Sequence, residues 1–225
     1  MYVELSYTLH SSIPNYPDSL PEKLESILSQ ERGDVSNTSV IHHYTHNGTH
    51  VDAPFHFDSK GQRIHEIPLE KFVYEHPLLI SLPRGPQQKI SIADVKNTTG
   101  IDSADLLMFR TGFAALRKKD PVAYRFLFPG FDRTLATFIR EELPMVKAVM
   151  IDFLSVDTLI DGYRENFSIH RILLSSETSK KRPVLIIEDV NLEPLVGKVI
   201  RKVFAVPIRI KNADGAPVSV IAELD

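Results

Sequence analysis

The stretch "HNGTHVDAPFH", His46 to His56, packs three histidines, one aspartate, a glycine and a proline into eleven residues. Its conformation decides what surrounds it. As a flat strand, its even positions His46, His50, Asp52 and His56 would share a face. At roughly 3.3 Å per residue, however, His46 and His50 would then stand about 13 Å apart. Two nitrogens each about 2 Å from one ion cannot be so far separated. A helix would bring them close, but Gly48, Thr49, Val51 and Pro54 oppose a helix. If His46 and His50 act together, the chain bends between them, and Gly48 permits that bend and a close backbone approach. Asp52 adds a carboxylate two residues on, able to bridge to a second ion, and Pro54 fixes the chain before His56.

The wider window strengthens the chemical reading. Five of the nine histidines (42, 43, 46, 50 and 56) fall within fifteen residues, where even spreading places fewer than one. Histidine is the commonest metal ligand and the usual proton carrier near neutral pH. His42 and His43 do not fit the bend and read as structural or surface residues. A strand and turn with incidental histidines is the plainer alternative.

Composition narrows the function classes. The chain has 225 residues, 43% of them hydrophobic, with no cysteine and no tryptophan. That suits a single domain over residues 1–225 that buries its own core. Without cysteine there is neither disulfide nor thiolate metal site. A net charge of −3 with no dense basic patch argues against nucleic acid. "SKKRP" (179–183) reads as a solvated loop. No apolar run reaches the roughly 18 residues of a membrane helix, and the start lacks a secretory pattern. The expectation is a cytoplasmic protein.

Strand and helix signals interleave. "YVELSY", "TSVIHHYTH", "PLLISL", "DLLMFR", "VKAVMIDFL" and "PVLIIEDV" read as strands, the later ones buried. "DRTLATFIREEL" (132–143) places Leu135, Phe138, Ile139 and Leu143 on one helical face, with Asp132 as N-cap. "KLESILSQ" (23–30) is expected to be a short helix, and "IHRILLS" is helical. The C-terminal "KVFAVPIRI" and "VSVIAEL" form a hairpin with Asp214-Gly215 in its turn. The class is mixed α/β. Asp152 and Asp157 read as acids that cap and brace a strand end near the site. There is no nucleophile elbow and no phosphate-cradling glycine loop.

"HNGTHVDAPFH" resembles, at every fixed position, the His-x-Gly-Thr-His-x-Asp-x-Pro-x-His signature of the cyclase family of metal-dependent hydrolases, which includes bacterial kynurenine formamidases and isatin hydrolases. The likeness extends through "ELSYTLHSSIPNYPD", "DLLMFRTGF", "FPGFDRTLATFI", "VKAVMIDFLSVD", "HRILLSSETSKKRPVLIIEDVNL" and "VPIRIKNADGAPVSVIAEL". It implies a single α/β, mixed-sheet domain of the swivelling β/β/α type. It also implies that His46, His50 and Asp52 bind one divalent metal, that Asp52, His170 and Glu188 complete a second site, and that His56 is the general acid/base. Tyr16 stands near the place of a formamidase tryptophan and is the expected stacking partner for a substrate ring, with Phe55 as a further wall.

An all-nitrogen and oxygen ligand set suits zinc first and manganese second, one or two ions per subunit. The resemblance implies hydrolysis of a small amide, a formamide or lactam, by water activated at the metal, in a homodimer or homotetramer. Two alternatives stand beside it: a metal-dependent lyase or cyclase on a small carbonyl compound, and a metal-bearing binding module without turnover.

Overall fold

The computed structural model describes residues 1–225. Thirteen strands are β1 Tyr2–Glu4, β2 Lys23–Leu28, β3 Thr38–His42, β4 His50–Asp52, β5 Val73–Tyr74, β6 Pro77–Ser81, β7 Lys89–Ile90, β8 Leu106–Arg110, β9 Gly130–Phe131, β10 Ala148–Ile151, β11 Leu185–Glu188, β12 Ile200–Pro207 and β13 Gly215–Leu224. Nine form one mixed sheet in the order β5-β12-β13-β4-β11-β10-β8-β6, with β1 also on β13. The β6, β8, β10 and β11 segment is parallel, and β4, β13, β12 and β5 continue it antiparallel. Only Glu75 and His76 separate β5 from β6, which lie at opposite ends of this order. The sheet therefore curls until its ends nearly meet.

The parallel strands are apolar along most of their length because both faces are covered, and polar residues such as Arg110 and Glu188 come only at their C-terminal ends. Leu107, Phe109, Val149, Ile151 and Ile186 point to a cluster under the helices α4 (Arg133–Glu142) and α6 (Ser168–Leu174). Their neighbours Leu106, Met108, Ala148, Met150 and Ile187 fill the inside of the curled sheet with Val51, Tyr74 and Val220. Helix α4 starts as expected: Asp132 Oδ1 accepts the Leu135 N–H at 2.9 Å, and Leu135, Phe138 and Ile139 are buried. The remaining helices are α1 Ile92–Val95, α2 Leu116–Lys119, α3 Pro121–Phe126 and α5 Leu159–Arg164.

Two expectations are corrected. Residues 23–28 are a strand, not a helix: β2 pairs antiparallel with β3, Leu24 opposite Ile41 and Glu25 opposite Val40. Cross-strand pairing overrides the helix-like spacing of Leu24, Ile27 and Leu28. Asp214-Gly215 is not the hairpin turn either. The turn lies at Lys211–Asn212, where Asn212 has φ 66°. Gly215 opens β13 because a Cβ there would meet His46 Cε1 and the Val51 carbonyl oxygen, both at 2.8 Å.

Candidate metal centre

His46 and His50 are brought together by the predicted bend. Gly48 has φ 61°, and a Cβ on it would come within 2.5 Å of Leu9 Cδ2. The two imidazole centroids are 5.2 Å apart. Between them Thr49 locks the turn: its hydroxyl donates to the Asp189 carbonyl at 2.6 Å and accepts the Tyr7 N–H at 3.0 Å. Asp189 itself, with φ 53°, is tied by Arg117 and by the Tyr124 hydroxyl.

Sheet register supplies the next donors. Glu188 is the direct antiparallel partner of His50, and Ile186 of Asp52. Cross-strand partners present their side chains side by side. His50 donates Nδ1–H to the Gly48 carbonyl at 2.8 Å, which leaves Nε2 facing Asp52 Oδ1 at 3.4 Å and Glu188 Oε2 at 3.5 Å. His170, on α6, donates Nδ1–H to Asp157 Oδ2 at 2.6 Å. Asp157 also accepts the backbone N–H groups of Ile169 and His170. The His170 Nε2 is thereby aimed at Asp52 Oδ2 and Glu188 Oε1, each 3.5 Å away. Glu188 Oε1 is further fixed by the Val156 N–H at 2.9 Å.

This arrangement fits a divalent cation. Two ligand atoms held at about 2.0–2.2 Å from one ion at tetrahedral angles stand roughly 3.3–3.6 Å apart. The His50, Asp52, His170 and Glu188 separations fall in that range. Asp52 Oδ2 is buried with no hydrogen-bond partner, a costly state for a carboxylate that a cation relieves. Two overlapping groups share Asp52: His50–Asp52–Glu188 and His46–Asp52–His56. Glu188 therefore stands as close to His50 as to His170, and His56 stands with His46. The expected division of ligands between two ions is looser in the structure than in the sequence.

His46 and His56 are stacked, with centroids 3.8 Å apart. His46 Nδ1 is 2.7 Å from Asp52 Oδ1, and its Nε2 is 2.9 Å from Asp214 Oδ2. The same Asp214 oxygen lies 3.2 Å from His56 Nδ1, and the Thr45 hydroxyl donates to Oδ1. Burial pulls His46 down, but Asp52 and Asp214 outweigh it and push the imidazole up to about 10. Burial likewise lowers His50 and His170, but the neighbouring carboxylates outweigh it and both are shifted upward. His56 goes the other way: burial lowers it more than Asp214 raises it. Burial would raise Asp214, yet its contacts with His46 and His56 hold it well below the carboxylate range.

These groups open onto a cavity of about 410 Å³. Tyr16 lines it, tilted against Phe128 and Phe167, with a buried hydroxyl that has no partner. Phe55 does not line it: its ring lies under the Arg63 guanidinium at 4.2 Å, and Phe57 faces the cavity instead. Asp152 accepts the Thr111 and Gly112 N–H groups and braces the strand end. His43 pairs with Glu22, and His42 is exposed. The sequence reading missed Asp214, Asp189 and the bond from Asp157 to His170. Asp214 carried a signal only as a turn residue.

The chain is 26% identical over 230 residues to kynurenine formamidase of Bacillus anthracis, covering 98% of this chain and 96% of that protein. The Bacillus cytotoxicus kynurenine formamidase is 26% identical over 220 residues at the same coverage. Isatin hydrolase A from Labrenzia aggregata, bound to benzyl benzoate, superposes with a TM-score of 0.80 at 22% identity, covering 99% of this chain and 93% of that one. Isatin hydrolase A from Ralstonia solanacearum does so at 0.78 with 20% identity, covering 99% and 91%. Residues 3–158, which include the whole His46–His56 motif, match the family described as putative cyclases, and the chain belongs to that family.

Proposed function

We propose that this chain hydrolyses a small formamide or lactam, arylformamides such as N-formylkynurenine among them. His46, His50, Asp52, His170 and Glu188 hold one or two divalent cations, zinc before manganese, and His56 is the general acid/base. The chain is a metal-dependent amide hydrolase, in keeping with its family and its formamidase relatives. The observation that carries the reading is the buried, unpartnered Asp52 Oδ2 in a ring of imidazoles and carboxylates spaced for one cation, beside His56.

A cation bound there supplies Lewis acidity and brings the pKa of a water ligand from about 16 toward 7. The protein's own groups do the rest. With Nδ1 turned to Asp214, His56 keeps Nε2 for the cavity. Burial favours its neutral form, so it can take a proton from the attacking water and return it to the leaving nitrogen. Tyr16 and Phe57 give the substrate an apolar wall. A metal-bearing binding module has no need of a proton carrier held in this way.

A homodimer or homotetramer is supported by the β2–β3 ribbon. It leaves Leu24 71%, Ile41 70% and the nearby Val35 95% exposed, and an isolated two-stranded ribbon is marginal in water. No helix is long and apolar enough to cross a membrane.

The test is elemental analysis of purified protein, followed by a screen of formamides, lactams and isatin-like amides with and without chelator. Chelator-sensitive release of formate or ring-opened product is expected. Metal-loaded protein that hydrolyses none of them overturns the reading.

A further inference from the structure

Immediately before α6, Asn166 and Phe167 both have positive φ, 52° and 50°. A bulky aromatic residue rarely adopts the left-handed region. Such a conformation persists only where the surroundings over-determine it, and it concentrates at functional sites. Here the surroundings are visible. The Phe167 N–H donates to the Gly162 carbonyl at 2.8 Å, and the Arg171 N–H donates to the Phe167 carbonyl at 3.0 Å. The ring lies directly on Gly162, where a Cβ would meet Phe167 Cε1 at 2.9 Å and Cδ1 at 3.2 Å. Glycine is a poor choice inside a helix, and the space its missing side chain leaves in α5 is the seat of this ring.

Backbone and seat together present Phe167 to the cavity. Its centroid is 5.6 Å from Phe57, 5.9 Å from His170 and 6.5 Å from Tyr16. Aromatic rings attract at such separations, so a flat ring entering the cavity meets aromatic surface beside the metal ligands. No lysine or arginine lines the cavity. Its one carboxylate outside the ligand cluster and its surroundings is Asp18, which accepts from the Tyr163 hydroxyl. A substrate carboxylate would find no lysine or arginine there and would face Asp18.

Resting on the amide-hydrolase reading, we propose that Phe167, set in place by Gly162 and the left-handed turn, is a specificity-determining residue. It selects amides bearing an uncharged aryl ring over small aliphatic amides and over aryl amides whose ring itself carries a carboxylate.

The test compares metal-loaded wild type, Gly162→Ala and Phe167→Leu on formanilide, N-methylformamide and 4-formamidobenzoate. Hydrophobic pockets discriminate by roughly 10–200-fold, so wild type is expected to favour formanilide over 4-formamidobenzoate by about tenfold or more. Gly162→Ala moves the ring without adding a group to the cavity. It is expected to raise the KM for formanilide about fivefold while leaving kcat/KM for N-methylformamide within about twofold. Phe167→Leu should lower the preference for formanilide over N-methylformamide at least as much. Parallel losses on both substrates in both variants, an unchanged preference, or a wild-type preference for the carboxylate overturns the proposal. If Gly162→Ala does not fold, Phe167→Leu decides. If wild type turns over no amide, the hydrolase reading fails, and the proposal is judged by calorimetric binding of acetanilide against N-methylacetamide. A weaker acetanilide Kd in Phe167→Leu supports it, and an equal Kd in both proteins overturns it.

Discussion

Asp214 Oδ2 and His56 Nδ1 lie 3.2 Å apart, and the same oxygen is 2.9 Å from His46 Nε2. One carboxylate, 158 residues further along the chain than His56, thus ties the proposed proton carrier to a proposed ligand. A carboxylate on Nδ1 fixes the tautomer and the ring orientation. Asp214→Asn keeps the shape and weakens that hold. Turnover is expected to fall roughly 10–100-fold, with zinc or manganese content measured in the same samples. Unchanged kcat and metal content would show that the contact is idle.

His56 itself is the sharper case. General acid–base catalysis contributes about 10²–10⁴-fold. His56→Ala is expected to lose that much activity while elemental analysis finds the wild-type metal content. Equal turnover removes His56 from the mechanism.

Asp157 never faces the cavity, yet it accepts Nδ1–H of His170 and two backbone N–H groups at the start of α6. Loss of such a partner typically weakens metal affinity by about 10–100-fold. Asp157→Asn should show this in a competitive chelator titration. Wild-type affinity in the variant would mean that packing alone orients His170.

The pH dependence of metal binding follows from His46. Despite burial, Asp52 and Asp214 raise it to about 10, so metal-free protein holds its proton at neutral pH. A cation must displace that proton. Binding should therefore release protons, and apparent affinity should strengthen as pH rises toward 10.

The same shift bears on stability. A raised histidine stabilises the fold fully below its ordinary 6.5, and this is lost as pH rises through about 10. Asp214 is depressed, so its contribution is present above 3.8 and lost on acidification. Thermal melts of metal-free protein should fall between pH 6.5 and 10, and melts of loaded protein should fall less. A metal-free protein whose stability climbs over that window contradicts the assignment.

The β2–β3 ribbon yields the last prediction. Leu24 opposes Ile41 across the pair, and both are exposed. Leu24→Glu with Ile41→Glu should convert a dimer or tetramer to monomer in light-scattering chromatography. A native protein that is already monomeric ends the oligomer proposal.

What was legible from the sequence was local. The kink at Gly48 follows from spacing and glycine chemistry within five residues, so His46, His50 and Asp52 could be grouped before any fold was known. Helix α4 was legible for the same reason, since its cap and apolar face repeat within a few residues. Glu188 and His170 were named only by resemblance, and Asp214 passed as a turn residue. Their places are set by the sheet. Glu188 pairs with His50, and Gly215 pairs with Asp52, which brings Asp214 beside two imidazoles. Phe55 was the expected wall, but Phe57 takes that place because two aromatics on one short turn differ only in what tertiary packing offers, Arg63 for one and the cavity for the other. Residues 23–28 became a strand through their partner β3, and no pattern internal to the segment encodes a partner. Chemistry within one turn of chain is carried by the chain itself, whereas contacts across more than a hundred residues exist only once strand register has closed the sheet.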